Sequence, residues 1–127
     1  PTGNGAILTA TQSGQWAIGV DADQYLSVFG NGSVPGSNKL LSSAMKRVDN
    51  AVFNTIADVI SGTFTAGHVL YSLKDDGVGL APFHGAEAAV SPSVRNALEA
   101  ARLGIINGTR AVTDNCRKWL YLPLMRK

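Results

Sequence analysis

The chain has 127 residues, of which 45% are hydrophobic and 16% are charged, and its formal net charge is +2. These values indicate one globular domain with a core and argue against a disordered chain. No basic stripe marks the body of the chain, so a nucleic-acid partner is not expected, and the single cysteine, Cys116, excludes an internal disulfide.

The first third of the chain predicts a helix, a strand and a long loop. Residues 1–5 are rich in turn formers, and residues 6–13 have the pattern of a short helix. Residues 16–20 form an apolar run typical of a buried strand. Residues 21–39, rich in Gly, Ser and Asn, predict a loop whose length is usual for functional segments.

Further along the chain, strands alternate with helices. Apolar residues recur at three- and four-residue steps from 46 to 61, which predicts an amphipathic helix ended by Gly62. Strands are predicted at residues 40–45, 68–73 and 78–80, a tight turn at 75–77, and a helix from Ser91-Pro92 to Asn107-Gly108. This alternation predicts the α/β class with a largely parallel sheet.

Polar side chains follow the two best-defined strands. Asp21, Asp23 and Gln24 come directly after the first strand, and Lys46 follows the second. The carboxyl ends of parallel strands meet at one edge of a sheet, where open α/β folds bind their ligands. Carboxylate, amide and ammonium groups suit a polyhydroxylated ligand, because hydroxyls need both donors and acceptors.

Two interpretations of these polar residues stay open on the sequence alone. Asp21 either accepts hydrogen bonds from two vicinal hydroxyls or caps a backbone N–H at the strand end. Lys46 either donates to a ligand oxygen or is a solvated lysine at a helix start. Asp23 and Gln24 are expected to shape the loop or a hinge.

Catalytic and metal-binding motifs are weak in this sequence. Ser43-Ala-Met-Lys46 matches the S-x-x-K motif of acyl-transfer enzymes, but the S-D-N and K-T-G partners are missing. The two histidines, His68 and His84, lack metal-ligand spacing and are expected to be structural. Neither a catalytic residue, nor a metal site, nor a cofactor is therefore predicted.

Four motifs occur together in a recognisable order. They resemble the carboxyl-terminal half of the basic membrane protein family, which comprises substrate-binding lipoproteins of ABC-type uptake systems related to purine nucleoside receptors. The resemblance covers about residues 2–112 and rests on Thr2-Gly-Asn-Gly5, Ile18-Gly-Val-Asp21-Ala-Asp23-Gln24, Ser43-Ala-Met-Lys46-Arg47-Val48-Asp49 and Leu73-Lys-Asp-Asp-Gly77-Val-Gly-Leu-Ala-Pro82.

This resemblance implies part of a type I periplasmic-binding fold, with Rossmann-like lobes around a hinge and a mostly parallel sheet, incomplete in this chain. It also implies a non-catalytic nucleoside-binding function, with Gly3, Asp21 and Lys46 facing the ribose. The ring-stacking residues belong to the family's amino-terminal half, and the helix at 46–61 is expected in the other lobe. The implied partners are a nucleoside, the missing amino-terminal half or other protein subunits, and an ABC permease. The implied location is extracytoplasmic, with a lipid anchor on a missing precursor segment.

Residues 113–127 have no counterpart in that family. Trp119, Leu120, Tyr121, Leu122 and Leu124 lie among four basic residues there, which is the pattern either of a terminal element packed on the body or of a docking segment. An alternative function follows: a structural subunit of a larger assembly, for instance in a eukaryotic organelle, derived from a binding protein that no longer binds ligand.

Overall fold

The computed structural model describes residues 2–112, so the segment 113–127 lies outside the described residues. Helices and strands alternate along most of this range. The elements are α1 Thr2–Gln12, β1 Ala17–Asp21, α2 Gln24–Ser27, β2 Leu40–Lys46, α3 Val48–Ser61, β3 Val78–Leu80 and α4 Pro92–Ile106, with 3₁₀ helices at Ser37–Lys39 and His84–Ala89.

The three strands form one mixed sheet in the order β1-β2-β3. β1 and β2 are parallel, with Asp21 opposite Met45, whereas β2 and β3 are antiparallel, with Ala44 opposite Leu80. Because β1 and β2 run in the same direction, their carboxyl ends lie side by side. The predicted meeting of the two strand ends is therefore confirmed.

The buried core surrounds β2 and the segments that pack against it. The 3₁₀ helix His84–Ala89 packs against β2 and against the 3₁₀ helix Ser37–Lys39. The buried apolar side chains come from these segments and the loops beside them: Phe29, Leu40, Ala81, Ala86 and Val90.

One face of the sheet carries exposed apolar side chains. Ile18, Val20, Ala44 and Leu80 share this face, because side chains alternate along a strand and the register aligns these positions. Ile18 is 60% exposed, Val20 55% and Leu80 52%. The prediction of a buried strand at 16–20 is thus right about the strand and wrong about burial. Parallel sheets are normally covered on both faces, so this face has the character of an interface.

The two long helices follow the predicted start and stop signals. Ser91 caps α4 by accepting a hydrogen bond from the Val94 amide, and Pro92 occupies the first turn. Gly62 ends α3 in the left-handed conformation. None of the residues of α3 or α4 is buried, so the apolar stripes of both helices are left open by the described part of the chain.

Three local predictions are wrong. Residues 2–5 are helical, and Asn4 accepts a hydrogen bond from Gln24, a tertiary contact that turn propensity does not include. The predicted loop 21–39 contains α2, which Asp23 caps. Residues 68–73 are not a strand: in the described structure β3 occupies the place beside β2, and no strand pairs with that run.

Gly19 provides a test of the contact between β1 and its neighbours. A Cβ at Gly19 would lie 2.4 Å from Ser43 Oγ and 2.5 Å from Gln24 Oε1. We therefore expect Gly19→Ala to lower the free energy of unfolding by about 1–3 kcal/mol through overpacking. Urea denaturation measures this change. Gly79→Ala is the matched control, because Gly79 also lies in a strand and its Cβ would meet no heavy atom within 4 Å; equal losses in both variants would contradict the expectation.

Candidate functional site

A pair of opposite charges marks the carboxyl ends of β1 and β2. Lys46 Nζ lies 3.0 Å from Asp21 Oδ1, and the side chains are 67% and 65% exposed. An ion pair this open contributes only about 0–1 kcal/mol to stability. Folding therefore gains little from it, and both groups are accessible to a ligand.

The backbone of Asp21 is unusual. Its φ is 71°, in the left-handed region that residues with a Cβ seldom adopt, and the amide of Ala22 donates to the carbonyl of Val20 to form a tight bend. Such conformations are concentrated at functional sites. The bend turns the chain out of β1 immediately before Asp23 and Gln24.

A cleft opens beside this bend. Its volume is about 440 Å³, within the roughly 300–1,000 Å³ that ligand sites usually occupy. The start of α1, the end of β1 and α2 provide its walls: Gly3, Asn4, Ile7, Val20, Asp21, Ala22, Gln24, Ser27 and Val28. Three of the sequence-predicted site residues, Gly3, Asp21 and Gln24, thus line one cleft.

Lys46 is placed differently from the other three. It lines a second depression of about 300 Å³, together with Arg47 and Tyr71. Lys46 reaches the first cleft only through its contact with Asp21. The two members of the ion pair therefore line different depressions, Asp21 the first and Lys46 the second.

Gln24 is held at the back of the first cleft. Only 7% of the residue is exposed. Its backbone amide donates to Ser43 Oγ (3.1 Å), and its side-chain Nε2 donates to Asn4 Oδ1 (3.1 Å). Its Oε1 is buried and has no hydrogen-bond partner among the described residues. Gln24 thereby ties the first turn of α1 to β2.

Asp23 does not line the cleft. One carboxylate oxygen accepts from the Tyr25 amide and so caps α2, while the other lies 2.7 Å from His84 Nε2. Its position agrees with the predicted loop-shaping role, which remains a prediction. For His84 the sequence predicts only a structural role, because its partner Asp23 lies 61 residues away and no local pattern signals the contact.

Arg47 fixes the rim of the second depression. It pairs with Asp49 (3.4 Å) and Asp76 (3.5 Å). The hydrogen bond from the Arg47 guanidinium lowers the pKa of Asp49, and the same bond raises the pKa of Arg47. Arg47 is thus already neutralised by two carboxylates, which leaves Lys46 as the cation next to Asp21.

The acyl-transfer alternative does not fit this geometry. Ser43 is fully buried, and its hydroxyl oxygen accepts from the Gln24 amide. Ser43 and Lys46 are three residues apart on β2, so their side chains point to opposite faces of the sheet. The lysine therefore cannot activate the serine.

Two structural features that define other classes of protein do not occur among residues 2–112. No group of three or more His, Cys, Asp or Glu side chains in this range is arranged to hold a metal ion. None of its helices combines the length and apolar character needed to cross a bilayer.

Sequence reasoning missed Asn4 as a cleft residue. It lies in the Thr2-Gly-Asn-Gly5 motif, whose composition predicts a turn, and its contact with Gln24 spans 20 residues. The motif itself was the available signal. Because residues 2–5 are helical, Gly3 and Asn4 lie in the first turn of α1 and line the cleft.

Comparison with known proteins identifies the architecture. A solved structure described as a transcriptional activator of the comK gene from Bacillus halodurans has a TM-score of 0.70 and 20% identity to this chain, covering 87% of this chain and 35% of that one. This likeness concerns the fold alone, and the chain spans about a third of that protein's length. It agrees with the predicted fold class, part of a periplasmic-binding fold.

Comparison of the sequence with known families identifies the family of this chain. Residues 1–115 match the family Bmp, described as ABC transporter substrate-binding protein PnrA-like. That range includes the strand ends, the cleft and all four motifs. The chain therefore belongs to the Bmp family of PnrA-like substrate-binding proteins.

Proposed function

We propose that this chain forms part of the binding site of an extracytoplasmic solute receptor that delivers a nucleoside to an ABC permease without chemical turnover. The observation that carries the proposal is the exposed Asp21–Lys46 pair beside a cleft at the carboxyl end of a parallel strand pair. The family description, an ABC transporter substrate-binding protein, supports the receptor class.

The charge pair suits a ribose. An ionised carboxylate accepts hydrogen bonds from two neighbouring hydroxyls, and charge-assisted bonds are the strong ones. Asp21 has room for such a ligand, since 65% of its side chain is exposed. Lys46 donates to a sugar oxygen and offsets the carboxylate's charge, so that a neutral ligand meets a nearly neutral site.

Gly3 has a steric role in this proposal. A Cβ at Gly3 would meet no heavy atom within 4 Å, and its φ is not in the left-handed region. Neither a close neighbour nor the backbone conformation therefore requires a glycine at position 3, although glycine weakens a helix. Close approach of a ligand to the backbone of α1 would explain it.

The domain organisation is also part of the proposal. We assign residues 1–112 to the carboxyl-terminal part of the binding domain and residues 113–127 to a docking segment. A lipid anchor upstream would hold the receptor near its permease. Base-stacking residues would come from other parts of the two-lobed fold.

Calorimetric titration of inosine, guanosine and adenosine into the purified protein tests this function. We expect heat with at least one nucleoside and much weaker binding of the matching 2′,3′-dideoxynucleoside, because that compound removes the hydroxyls proposed to meet Asp21. The absence of binding to all three nucleosides would refute the proposal. Equal affinity for the dideoxy compound would refute the role of Asp21.

A second candidate function follows from the open sheet face. Ile18, Val20 and Leu80 are each more than half exposed on that face, and β1 has an unpaired outer edge within the described sheet. Apolar faces and open edges of this kind favour association with another polypeptide. The chain would then act as a structural subunit of a larger assembly. Size-exclusion chromatography with light scattering tests this alternative, which a compact, stable monomer would exclude.

A further inference from the structure

The neighbouring side chains of Asp23 and Tyr25 both contact His84, which lies 61 residues after Asp23. The Asp23 and His84 side chains are only 15% and 22% exposed, and His84 Nε2 lies 2.7 Å from Asp23 Oδ2. The His84 ring also stacks on the Tyr25 ring, with centroids 4.3 Å apart and planes within 8°. We call this cluster, Asp23, Tyr25 and His84, the latch.

The surroundings of the latch are fitted to the Tyr25 ring. A Cβ at Gly32 would lie 2.3 Å from the Tyr25 hydroxyl, and one at Gly85 would lie 3.4 Å from the ring. The ring therefore occupies a slot in which one wall, at Gly32, has no room for a side chain. Tyr25 cannot shift far without losing its stack on His84.

His84 is held in an unfavourable backbone conformation. Its φ is 43°, in the left-handed region, although it is not a glycine. Residues with a Cβ stay in that region only when their surroundings fix them, and such outliers cluster at clamps and switches. The contacts with Asp23 and Tyr25 are what fix His84 here.

The latch acts on the segment that carries the cleft residues. Asp23 uses both carboxylate oxygens: Oδ1 accepts from the Tyr25 amide and starts α2, and Oδ2 meets His84. Asp21 lies two residues before Asp23, and the buried Gln24 lies directly after Asp23. The latch thereby ties residues 21–24 to the 3₁₀ helix His84–Ala89, which packs on β2, the strand that carries Lys46.

We propose that His84 is a positioning residue for the ligand cleft: through Asp23 and Tyr25 it keeps residues 21–24 in the conformation that presents Asp21 to the ligand. His84 does not line the cleft. This inference rests on the proposed binding function for its effect on affinity, whereas its effect on the segment 21–24 can be measured without ligand.

The expected effect follows from population arithmetic. If loss of the latch lets residues 21–24 occupy the binding-competent conformation only about a tenth of the time, the apparent Kd rises roughly tenfold. Residues far from the cleft should be unaffected. The effect is therefore a selective loss of order in α2 together with weaker binding.

The experiment uses His84→Ala with His68→Ala as the matched control, because His68 is an exposed histidine outside the latch. Hydrogen exchange of the ligand-free protein is measured at the amides of Val28 and Phe29, which donate to the Gln24 carbonyl and report on α2. The amides of Gly62 and Arg110, which are hydrogen-bonded far from the latch along the chain, serve as reference positions. We expect faster exchange only at Val28 and Phe29 in His84→Ala, and a guanosine Kd roughly tenfold higher.

Two further variants distinguish positioning from general destabilisation. His84→Gln keeps an amide donor for Asp23, so it should recover part of the affinity and protection lost in His84→Ala. Asp23→Asn keeps the acceptor that caps α2 but weakens the bond to His84, so it should resemble His84→Ala. Unchanged exchange at Val28 and Phe29 in both His84→Ala and Asp23→Asn would overturn the proposal. So would a uniform increase across the protein without rescue by His84→Gln.

These measurements also separate this inference from the proposed function. If the wild-type protein binds no nucleoside but exchange at Val28 and Phe29 rises in His84→Ala, the receptor function fails and the structural part of the latch stands. If the wild type binds guanosine and His84→Ala binds it equally well, the receptor function stands and the latch has no role in it.

Discussion

Replacing Asp21 by asparagine should weaken nucleoside binding by roughly 10- to 100-fold, because a hydrogen bond to a charged group contributes about 1.5–3 kcal/mol. Asparagine keeps the size of the side chain and one acceptor but loses the charge and the second acceptor. Stability should change little, since the Asp21–Lys46 pair is about two-thirds exposed on both sides. Calorimetric titration of guanosine gives the affinity, and urea denaturation gives the stability.

Asp49→Asn is the matched control for this substitution. Asp49 is similarly exposed, at 68%, and it too pairs with a cation at the end of β2, with Arg47 Nη2 at 3.4 Å. It does not line the cleft. We expect its affinity to stay within about twofold of wild type, as for surface substitutions generally. Equal losses of affinity in both variants would mean that the net charge of the protein, and not contact between Asp21 and the ligand, governs binding.

The second large effect is expected from Phe29→Ala. Phe29 is fully buried, and its backbone links α2 to the following loop: its amide donates to the Gln24 carbonyl and its carbonyl accepts from the Val34 amide. Removing the ring leaves a cavity in a small core, which should lower the free energy of unfolding by about 3–5 kcal/mol. Because domains are stable by only about 5–15 kcal/mol, this loss is a large fraction of the total.

Phe53→Ala is the control for the loss of a phenyl ring. Phe53 lies on α3 and is 71% exposed. Its replacement should change the free energy of unfolding by no more than about 0.5 kcal/mol. Urea denaturation of both variants gives the comparison. A larger loss at Phe53 than at Phe29 would mean that the exposed face of α3 is covered in the protein that was measured.

The strands and the charge pair could be predicted because their signals are local. Short apolar runs ending in polar residues gave β1 and β2, and the rule that parallel strand ends share an edge brought Asp21 and Lys46 together, 3.0 Å apart in the structure. Gly62 and Ser91-Pro92 marked helix boundaries correctly for the same reason: capping depends on the few residues nearest the helix end.

The failures concern contacts between distant residues. The first turn of α1 makes a hydrogen bond from Gln24 to Asn4, a contact across 20 residues. Residues 68–73 do not form a strand, because β3 occupies the place beside β2 in the described sheet. The apolar composition of β1 predicts that the strand is buried. Whether Ile18 and Val20 are covered depends on which element packs over them, and periodicity carries no information about that.

Taken by itself, the sequence determined the family, the α/β class and the polar residues at the strand ends, because each depends on residue order over short spans. Only the tertiary structure decided that Asp21 and Gln24 face one cleft while Lys46 faces another, and that His84 reaches back across 61 residues to Asp23. The reason is geometric: the sheet register and the path of the loops set distances between residues that lie far apart along the chain.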